Sequence, residues 1–394
     1  METSTSKKTF IDISIIILAT LGITLLVWLP HILRIPNFYG LNFSEGFNTI
    51  YRNFDGLEYV MIAKTLYSPP AFATLPQSMP AGYFAAHFPG YALSILVFAP
   101  ILGFLKSMIF VAVGFTVLSA ITFYFLVRDF KLSEHPLFLS VVFLILPARW
   151  LVVHTVGSAE PMFIFFTILT LYFFMKYEDK KNYLFIVLAG ISGLGAQITR
   201  PPGILLFISL ALYLLWKLAK GGWNNIFPRI ISLKISYFPL ILAPLTLLGI
   251  FYWYSISYGD FFAYFHSGDN IHLTFPPYQV FNKNQFWVGS MWLEDIVYIL
   301  LLGFAGGIAL FKKKLYPLAF FTLTYLGATT FVAHRDVSRY VLPIFPFVLI
   351  AFERYLTSKE FKIVLVIITL AIYLYAQNFI LANTAPFPNP QIFN

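Results

Sequence analysis

Apolar residues in this chain gather into long runs separated by short polar connections, and they do not alternate with polar residues. A helix that crosses a bilayer needs roughly 20 mostly apolar residues. Segments 10–30, 108–127, 136–152, 160–176, 183–199, 203–219, 235–257, 292–311, 315–333, 340–356 and 361–381 meet that description. One further apolar piece, 88–104, is ambiguous, because if it spans, every later connection changes side.

Charge decides how that piece is read. The connections RDFK (128–131), KYEDKK (176–181), Lys217 to Lys234, KKK (312–314) and Lys359 to Lys362 hold most of the lysine and arginine. Cytoplasmic loops carry such an excess. All of them share a side with Lys7 and Lys8 only if residues 31–107 contain no complete crossing. The 88–104 piece is therefore expected to be a juxtamembrane or re-entrant helix, which leaves Lys106 outside. The expected fold is an all-α polytopic membrane protein of about eleven spans, with the N-terminus cytoplasmic and the C-terminus outside, forming one domain over 1–394. The first run, Phe10 to Pro30, lacks a small-residue cleavage site and reads as a retained signal anchor. Two long outer loops remain, 31–107 and 258–291. Pro69, Pro70, Pro76 and Pro80 punctuate the first with turns, and loops of that length among short connections are usually functional.

Composition agrees. The chain has 394 residues, 59% of them hydrophobic and only 11% charged, against roughly 25% in soluble domains. Mean hydropathy is +0.78. The net charge of +9 does not indicate nucleic acid, because the lysines sit in short clusters between apolar runs and form no stripe on a soluble domain. Cysteine is absent, which removes disulfides, thiolate chemistry and cysteine-ligated metals.

With that topology, unusual residues collect at one face. The first loop carries Asp55, Glu58 and His87. The stretch PARWLVVHTVGSAEP adds Arg149, His154 and Glu160, and QITRPPG adds Gln197 and Arg200. The second loop adds Asp260, His266 and Asp269, and AHRDVSRY adds His334, Arg335, Asp336 and Arg339. An arginine at mid-membrane costs roughly 2.5–3.5 kcal/mol on insertion scales, and less toward the interface. Such residues persist when paired or when they meet an anion, and the planar guanidinium fork matches phosphate well. The expectation is a polar cavity at the outer boundary, in which arginines meet the carboxylate of Asp55. Internal ion pairs, such as Arg335 with Asp336 or Arg149 with Glu160, are the alternative. Arg200 is the most specific case: Pro201, Pro202 and Gly203 force a break after it, so its charge is pinned near the membrane boundary. An arginine that simply snorkels to water is the other reading.

The first loop also contains FDGLEYVMIAKTLY (54–67), too short to cross and too apolar for an ordinary loop. As a helix along the membrane surface it would put Asp55, Glu58 and Tyr59 on one side and Val60, Met61 and Ala63 on the other. Asp55 would fall in the first turn, where capping alone could explain it. A chemical role is available too. If a sugar is carried on a polyprenyl phosphate, the departing phosphate is already a good leaving group and no general acid is needed, unlike glycoside hydrolysis. One carboxylate to deprotonate an acceptor hydroxyl and cations to stabilise the departing phosphate then suffice.

In order along the chain occur FDGLEYVMIAKTLY, HFPGYALSILVFAP, LPARWLVVHTVGSAEPMFIFFTILTLYFF, GISGLGAQITRPPGILLF, YGDFFAYFHSG and RYVLPIFPFVLI. This ordered set resembles the integral-membrane GT-C glycosyltransferases, most closely the PIG-V-type mannosyltransferases. The resemblance implies Asp55 as the catalytic carboxylate, with Tyr59 as its motif partner. It implies that His87, Pro89 and Tyr91 begin the juxtamembrane helix. Ser158 and Glu160 match a Ser-Glu pair, Arg200 an Arg-Pro position, and Arg339 and Tyr340 a late R-Y-x-L-P block. It further implies a polyprenyl- or dolichyl-phosphate sugar donor, with mannose the family's sugar, and no nucleotide sugar. The acceptor stays open among a glycolipid, a protein and a saccharide, since Phe54 replaces a usual Trp, Gly90 a bulkier residue and Ala92 a second Pro. The substrate-binding set expected around Asp55 is Glu58, Tyr59, His87, Arg149, His154, Glu160, Arg200, His266, Arg335, Arg339 and Tyr340. No cofactor is expected. The first loop has no Asp-x-Asp pair, although His266 and Asp269 have the spacing of a metal-ligand pair. Two rival functions are a transporter or flippase of lipid-linked or anionic solutes, and a non-catalytic partner in a glycan-assembling complex. A transporter should show mid-span acids, broken helices or repeated halves, whereas here no repeat occurs and the charges sit at the ends of the runs.

Overall fold

The computed structural model describes residues 2–53, 55–76, 79–220, 235–268, 273–291, 293–387 and 389–394. Phe54, Asp269 and residues 221–234 of the lysine-rich connection lie outside that set. Regular structure among the described residues is helical. In chain order the main helices are α1 (Glu2–Ile32), α2 (Gly56–Thr65), α3 (Pro89–Leu102), α4 (Phe104–Asp129), α5 (Pro136–Ile145), α6 (Ala148–Val153) and α7 (Glu160–Lys180). They continue as α8 (Tyr183–Thr199), α9 (Gly203–Ala219), α10 (Leu242–Tyr258), α11 (Glu294–Lys312), α12 (Tyr316–Thr329), α13 (Phe345–Ala351) and α14 (Lys359–Ala382).

Each apolar run read from the sequence coincides with a helix or with broken helical pieces. Lys7–Ile32, Phe104–Asp129, Ser236–Tyr258, Glu294–Lys312 and Lys359–Ala382 are long and apolar enough to cross a membrane, and shorter apolar helices accompany them. Along α1 and α14, Leu18, Leu25, Leu26, Val366 and Ile367 stand exposed. In water so much continuous apolar surface would drive association; in lipid it is the matching surface. The chain is an integral membrane protein.

Proline decides where runs break. The 136–152 run is two helices, because Pro147 lacks the N–H a continuous helix would use and its ring meets the preceding turn. Pro343 and Pro346 similarly divide the 340–356 run into the turn Leu342–Ile344 and α13. The 88–104 piece is a 14-residue helix, α3, closed by Gly103 at φ 77°, which lets α4 start at once. At about 1.5 Å per residue, α3 falls short of a hydrocarbon core of about 30 Å.

The described residues form two compact units. The first comprises 1–84, 89–165 and 353–394. In it, α4 and α5 pack on α1, α2 and α3 pack on each other and on α4, and α6 packs on α14. The second comprises 85–88 and 166–352. There α8 packs on α10, α9 on α12, and α11 on both α12 and α13.

Gly203 has a steric task at the break between α8 and α9. A Cβ there would lie 2.5 Å from Gln197 Cα and 2.8 Å from its nitrogen, and backbone cannot yield as a side chain does. Gly203→Ala is therefore expected to destabilise by about 1–3 kcal/mol, the range for overpacking, read as a fall in the melting temperature of detergent-solubilised protein. Gly249→Ala, where nothing lies within 4 Å, should leave that temperature unchanged; equal behaviour of the two variants would contradict the assignment.

Candidate active site

In the first unit, α2 carries the stretch centred on Asp55, and its environment differs from the surface helix expected. Gly56, Leu57, Tyr59, Val60, Met61, Ile62, Ala63 and Thr65 are all buried, while Glu58 and Lys64 are half-buried. Tyr59 does not share the acids' exposure. Its ring packs edge-on against Tyr91 at 5.0 Å, and the Tyr91 hydroxyl donates to the Met108 carbonyl at 2.7 Å. The amphipathic reading fails because α3 and α4 cover the helix from the sides that water would otherwise occupy.

Asp55 occupies the N-cap position of α2, yet its side chain makes no capping hydrogen bond. Capping, the simplest explanation for an acid there, is not the use this carboxylate is put to. Asp55 and Glu58 place carboxylate oxygens within 4.8 Å of each other, and Glu58 Oε1 accepts from the Tyr83 hydroxyl at 3.3 Å. Two such carboxylates are also competent hard-cation ligands. The backbone beneath is set by two glycines, Gly56 in the 54–67 stretch and Gly157 in PARWLVVHTVGSAEP, neither of them among the expected site residues. A Cβ on Gly56 would lie 2.8 Å from the Met108 sulfur and 3.0 Å from the Gly157 carbonyl oxygen, and a Cβ on Gly157 would meet that sulfur at 2.5 Å. Asn53, just outside the 54–67 stretch, is fully buried and donates through Nδ2 to the Ile380 carbonyl at 2.6 Å.

The PARWLVVHTVGSAEP stretch also lies in the first unit, and its polar residues are buried. The Arg149 guanidinium sits 3.5 Å from the centroid of Phe379 on α14, a desolvated cation–π contact. The Ser158 hydroxyl donates to the Val153 carbonyl at 2.9 Å. Glu160 begins α7, where the positive end of the helix dipole favours a carboxylate. His154 lies in the connection before α7, with Nε2 2.8 Å from the Leu144 carbonyl. A carbonyl only accepts, so Nε2 carries the proton. Burial pushes this imidazole down to about 4, the hydrogen bond to Leu144 partly opposing the shift.

The second unit holds His87, Arg200, His266, Arg335, Arg339 and Tyr340. Arg200 is extended (φ −149°, ψ 145°) as the C-cap of α8, and Pro202 is the N-cap of α9. This is the break that Pro201 and Pro202 imply, since the residue before a proline avoids the helical region. Arg200 is largely buried, and its charge partly offsets the burial that pushes the Tyr264 phenol up to about 12. Tyr264 packs on Phe88 at 5.6 Å and stacks on Phe251 at 6.4 Å. Phe88 follows the buried His87 in the 85–88 segment.

The loop residues pair differently from the expectation. His266 Nδ1 lies 2.6 Å from Asp260 Oδ2, and that hydrogen bond holds the Asp260 carboxyl below its ordinary range. Asp336 lies 3.9 Å from Arg339, one helical turn away. Exposed Arg335 instead rests 5.7 Å from the Phe286 ring centroid. The Asp336 amide donates to His334 Nδ1 at 3.0 Å, and His334 faces the Tyr340 ring at 5.2 Å.

The low pKa of His154 carries a pH dependence. Its folded value lies below the ordinary 6.5, so its contribution is full above pH 6.5 and is lost as pH falls toward 4, up to about 3 kcal/mol. His154→Gln should therefore show a smaller drop in melting temperature than the parent between pH 7 and pH 4.5; parallel curves would refute a buried neutral imidazole.

Two comparisons bear on this chain. Residues 105–258 match the family model of the dolichyl-phosphate-mannose-protein mannosyltransferases. That stretch contains Arg149, His154, Ser158, Glu160 and Arg200. The archaeal oligosaccharyltransferase AglB from Archaeoglobus fulgidus, solved in complex with an inhibitory peptide and a dolichol-phosphate, aligns with 96% of this chain at a TM-score of 0.52 and 14% identity. The alignment covers 57% of the archaeal chain, so this chain spans little more than half of that protein's length. No curated protein matches the sequence. The fold is GT-C-like, as the ordered motifs implied, and over residues 105–258 the chain is similar to the dolichyl-phosphate-mannose-protein mannosyltransferases.

Proposed function

We propose that this protein is a membrane glycosyltransferase that moves a sugar, mannose in our reading, from a polyprenyl or dolichyl phosphate to an acceptor hydroxyl. The acceptor is a glycolipid, a protein or a saccharide, and the reaction takes place on the extracytoplasmic or lumenal face. The observation that carries this reading is Asp55, a half-buried carboxylate at a helix N-cap position whose side chain does not cap the helix. The likeness of residues 105–258 to the mannosyltransferase family and the dolichol-phosphate in complex with the archaeal enzyme support the donor class.

The chemistry balances with few groups. The acceptor oxygen attacks the anomeric carbon from the face opposite the phosphate, its proton passes to Asp55, the new glycosidic bond forms with inversion, and the lipid phosphate leaves with the bonding electrons. Proton removal in the transition state contributes typically 10²–10⁴-fold. Arg200 and Arg339 are assigned to charge developing on the phosphate oxygens, with Arg335, His87, His266 and Tyr340 as further substrate contacts. Glu58 orients the acceptor beside Asp55. Tyr59, Arg149, His154 and Glu160 act as positioning residues, because packing already engages them.

Purified Asp55→Asn, given polyprenyl-phosphate mannose and a panel of acceptors, is expected to lose transfer by about 10²–10⁴-fold while keeping its melting temperature. Full turnover by that variant would remove Asp55 from the chemistry. Arg200→Ala and Arg339→Ala should each raise the donor KM by about 10- to 100-fold, the scale of a lost charged hydrogen bond. If donor affinity is unchanged in both, neither holds the phosphate.

A further inference from the structure

In the second unit, Glu178 near the end of α7 gathers a dense set of donors. Lys217 on α9 makes a short ion pair with it. Lys181 reaches it at 3.1 Å, the Tyr213 hydroxyl at 3.1 Å and the Tyr237 hydroxyl at 2.5 Å. One carboxylate thus faces two ammonium groups and two phenols, which leaves the cluster net positive. The neighbouring lysines Lys176, Lys180 and Lys220 outnumber the remaining acid, Asp179.

Beside this cluster lies a cavity of about 410 Å³ lined by Tyr177, Lys181, Tyr183, Ser236 and Tyr237. Each lining residue brings a hydroxyl or an ammonium, and no carboxylate is among them. Lys181 Nζ also lies 5.4 Å from the Tyr177 ring centroid, so its position is held from two sides. Tyr183 is the first residue of α8, a 17-residue helix, whose positive dipole end favours an anion nearby. Ser236 and Tyr237 open the spanning stretch Ser236–Tyr258, which puts the cavity at a membrane boundary, among the lysine-rich connections. Amphipathic tyrosines are at home at that depth.

We propose that this cavity binds the phosphodiester headgroup of an anionic phospholipid. Glu178 does not contact the lipid; it holds Lys181 and Tyr237 in place, so that the remaining N–H donors of Lys181, with the hydroxyls of Ser236, Tyr177 and Tyr183, face the headgroup. The acyl chains continue along the apolar surface of Ser236–Tyr258, where Phe238, Leu245, Leu248 and Tyr252 are exposed. A zwitterionic headgroup brings a quaternary ammonium beside its phosphate, and the Lys181 ammonium, with no carboxylate among the lining residues to offset it, disfavours that second cation. Interfacial basic residues are each worth about five-fold in affinity for an anionic membrane surface.

The test uses the full chain in detergent, incubated with phosphatidylglycerol or phosphatidylcholine of the same acyl composition and read by native mass spectrometry. The parent is expected to retain one phosphatidylglycerol per chain in preference to phosphatidylcholine. Lys181→Gln should weaken that retention about five-fold without shifting the melting temperature, since the side chain is largely exposed. Lys131→Gln is the matched control, because Lys131 also follows a helix end with positive φ but does not line the cavity; it should retain the lipid as the parent does. Equal retention by the parent and Lys181→Gln, or an equal loss in Lys131→Gln, would overturn the proposal in favour of diffuse lysine attraction. Displacement of the lipid by millimolar inorganic phosphate would also overturn it, by showing a free-phosphate site.

Discussion

Hydrocarbon offers no water to a charge or to an unpaired backbone group, and this governs how the chain is arranged. Acids and bases lie at helix ends or are neutralised by specific partners. Asp12, inside the long first span, accepts from the Tyr124 hydroxyl at 2.7 Å. Glu178 is surrounded by lysines and tyrosines as α7 ends. His154, buried beyond the reach of solvent, stays neutral because its charged form would be desolvated.

The same constraint makes proline and glycine the architects of the polar regions. A helix satisfies its own backbone, so a side chain can be displayed at a fixed depth only where the helix stops. Pro147, the pair Pro201–Pro202, and Pro343 with Pro346 produce such stops, and Arg149, Arg200 and Arg339 lie within a few residues of them. Gly56, Gly157 and Gly203 then allow backbone and the Met108 side chain to approach where a methyl group would not fit. Rigid scaffolding around a short irregular segment is how a functional group is kept in place without lengthening the loop that bears it.

The chemistry assigned to this scaffold is economical. In the proposed transfer a lipid phosphate departs without a proton, so the reaction calls for a base for the acceptor and cations for the phosphate. Asp55 is suited to the first task because its carboxylate is withheld from the capping role its position offers. Arg200 is suited to the second because its flanking backbone is extended and followed by two prolines, which restricts how far the guanidinium can wander.

The position of the apolar helices was legible from hydrophobic run length, because a bilayer sets the length a span needs, while Pro147, Pro343 and Pro346 divide two of the runs into shorter pieces. The break after Arg200 was legible because proline constrains backbone locally. The partners of the polar residues were not legible. Arg149 rests on Phe379, 230 positions away in the chain; Asp336 pairs with Arg339 while Arg335 rests on Phe286; and the helix Gly56–Thr65 is largely buried where its pattern had read as amphipathic. Those outcomes depend on which surfaces meet when helices distant in sequence pack, and neither periodicity nor run length encodes that choice.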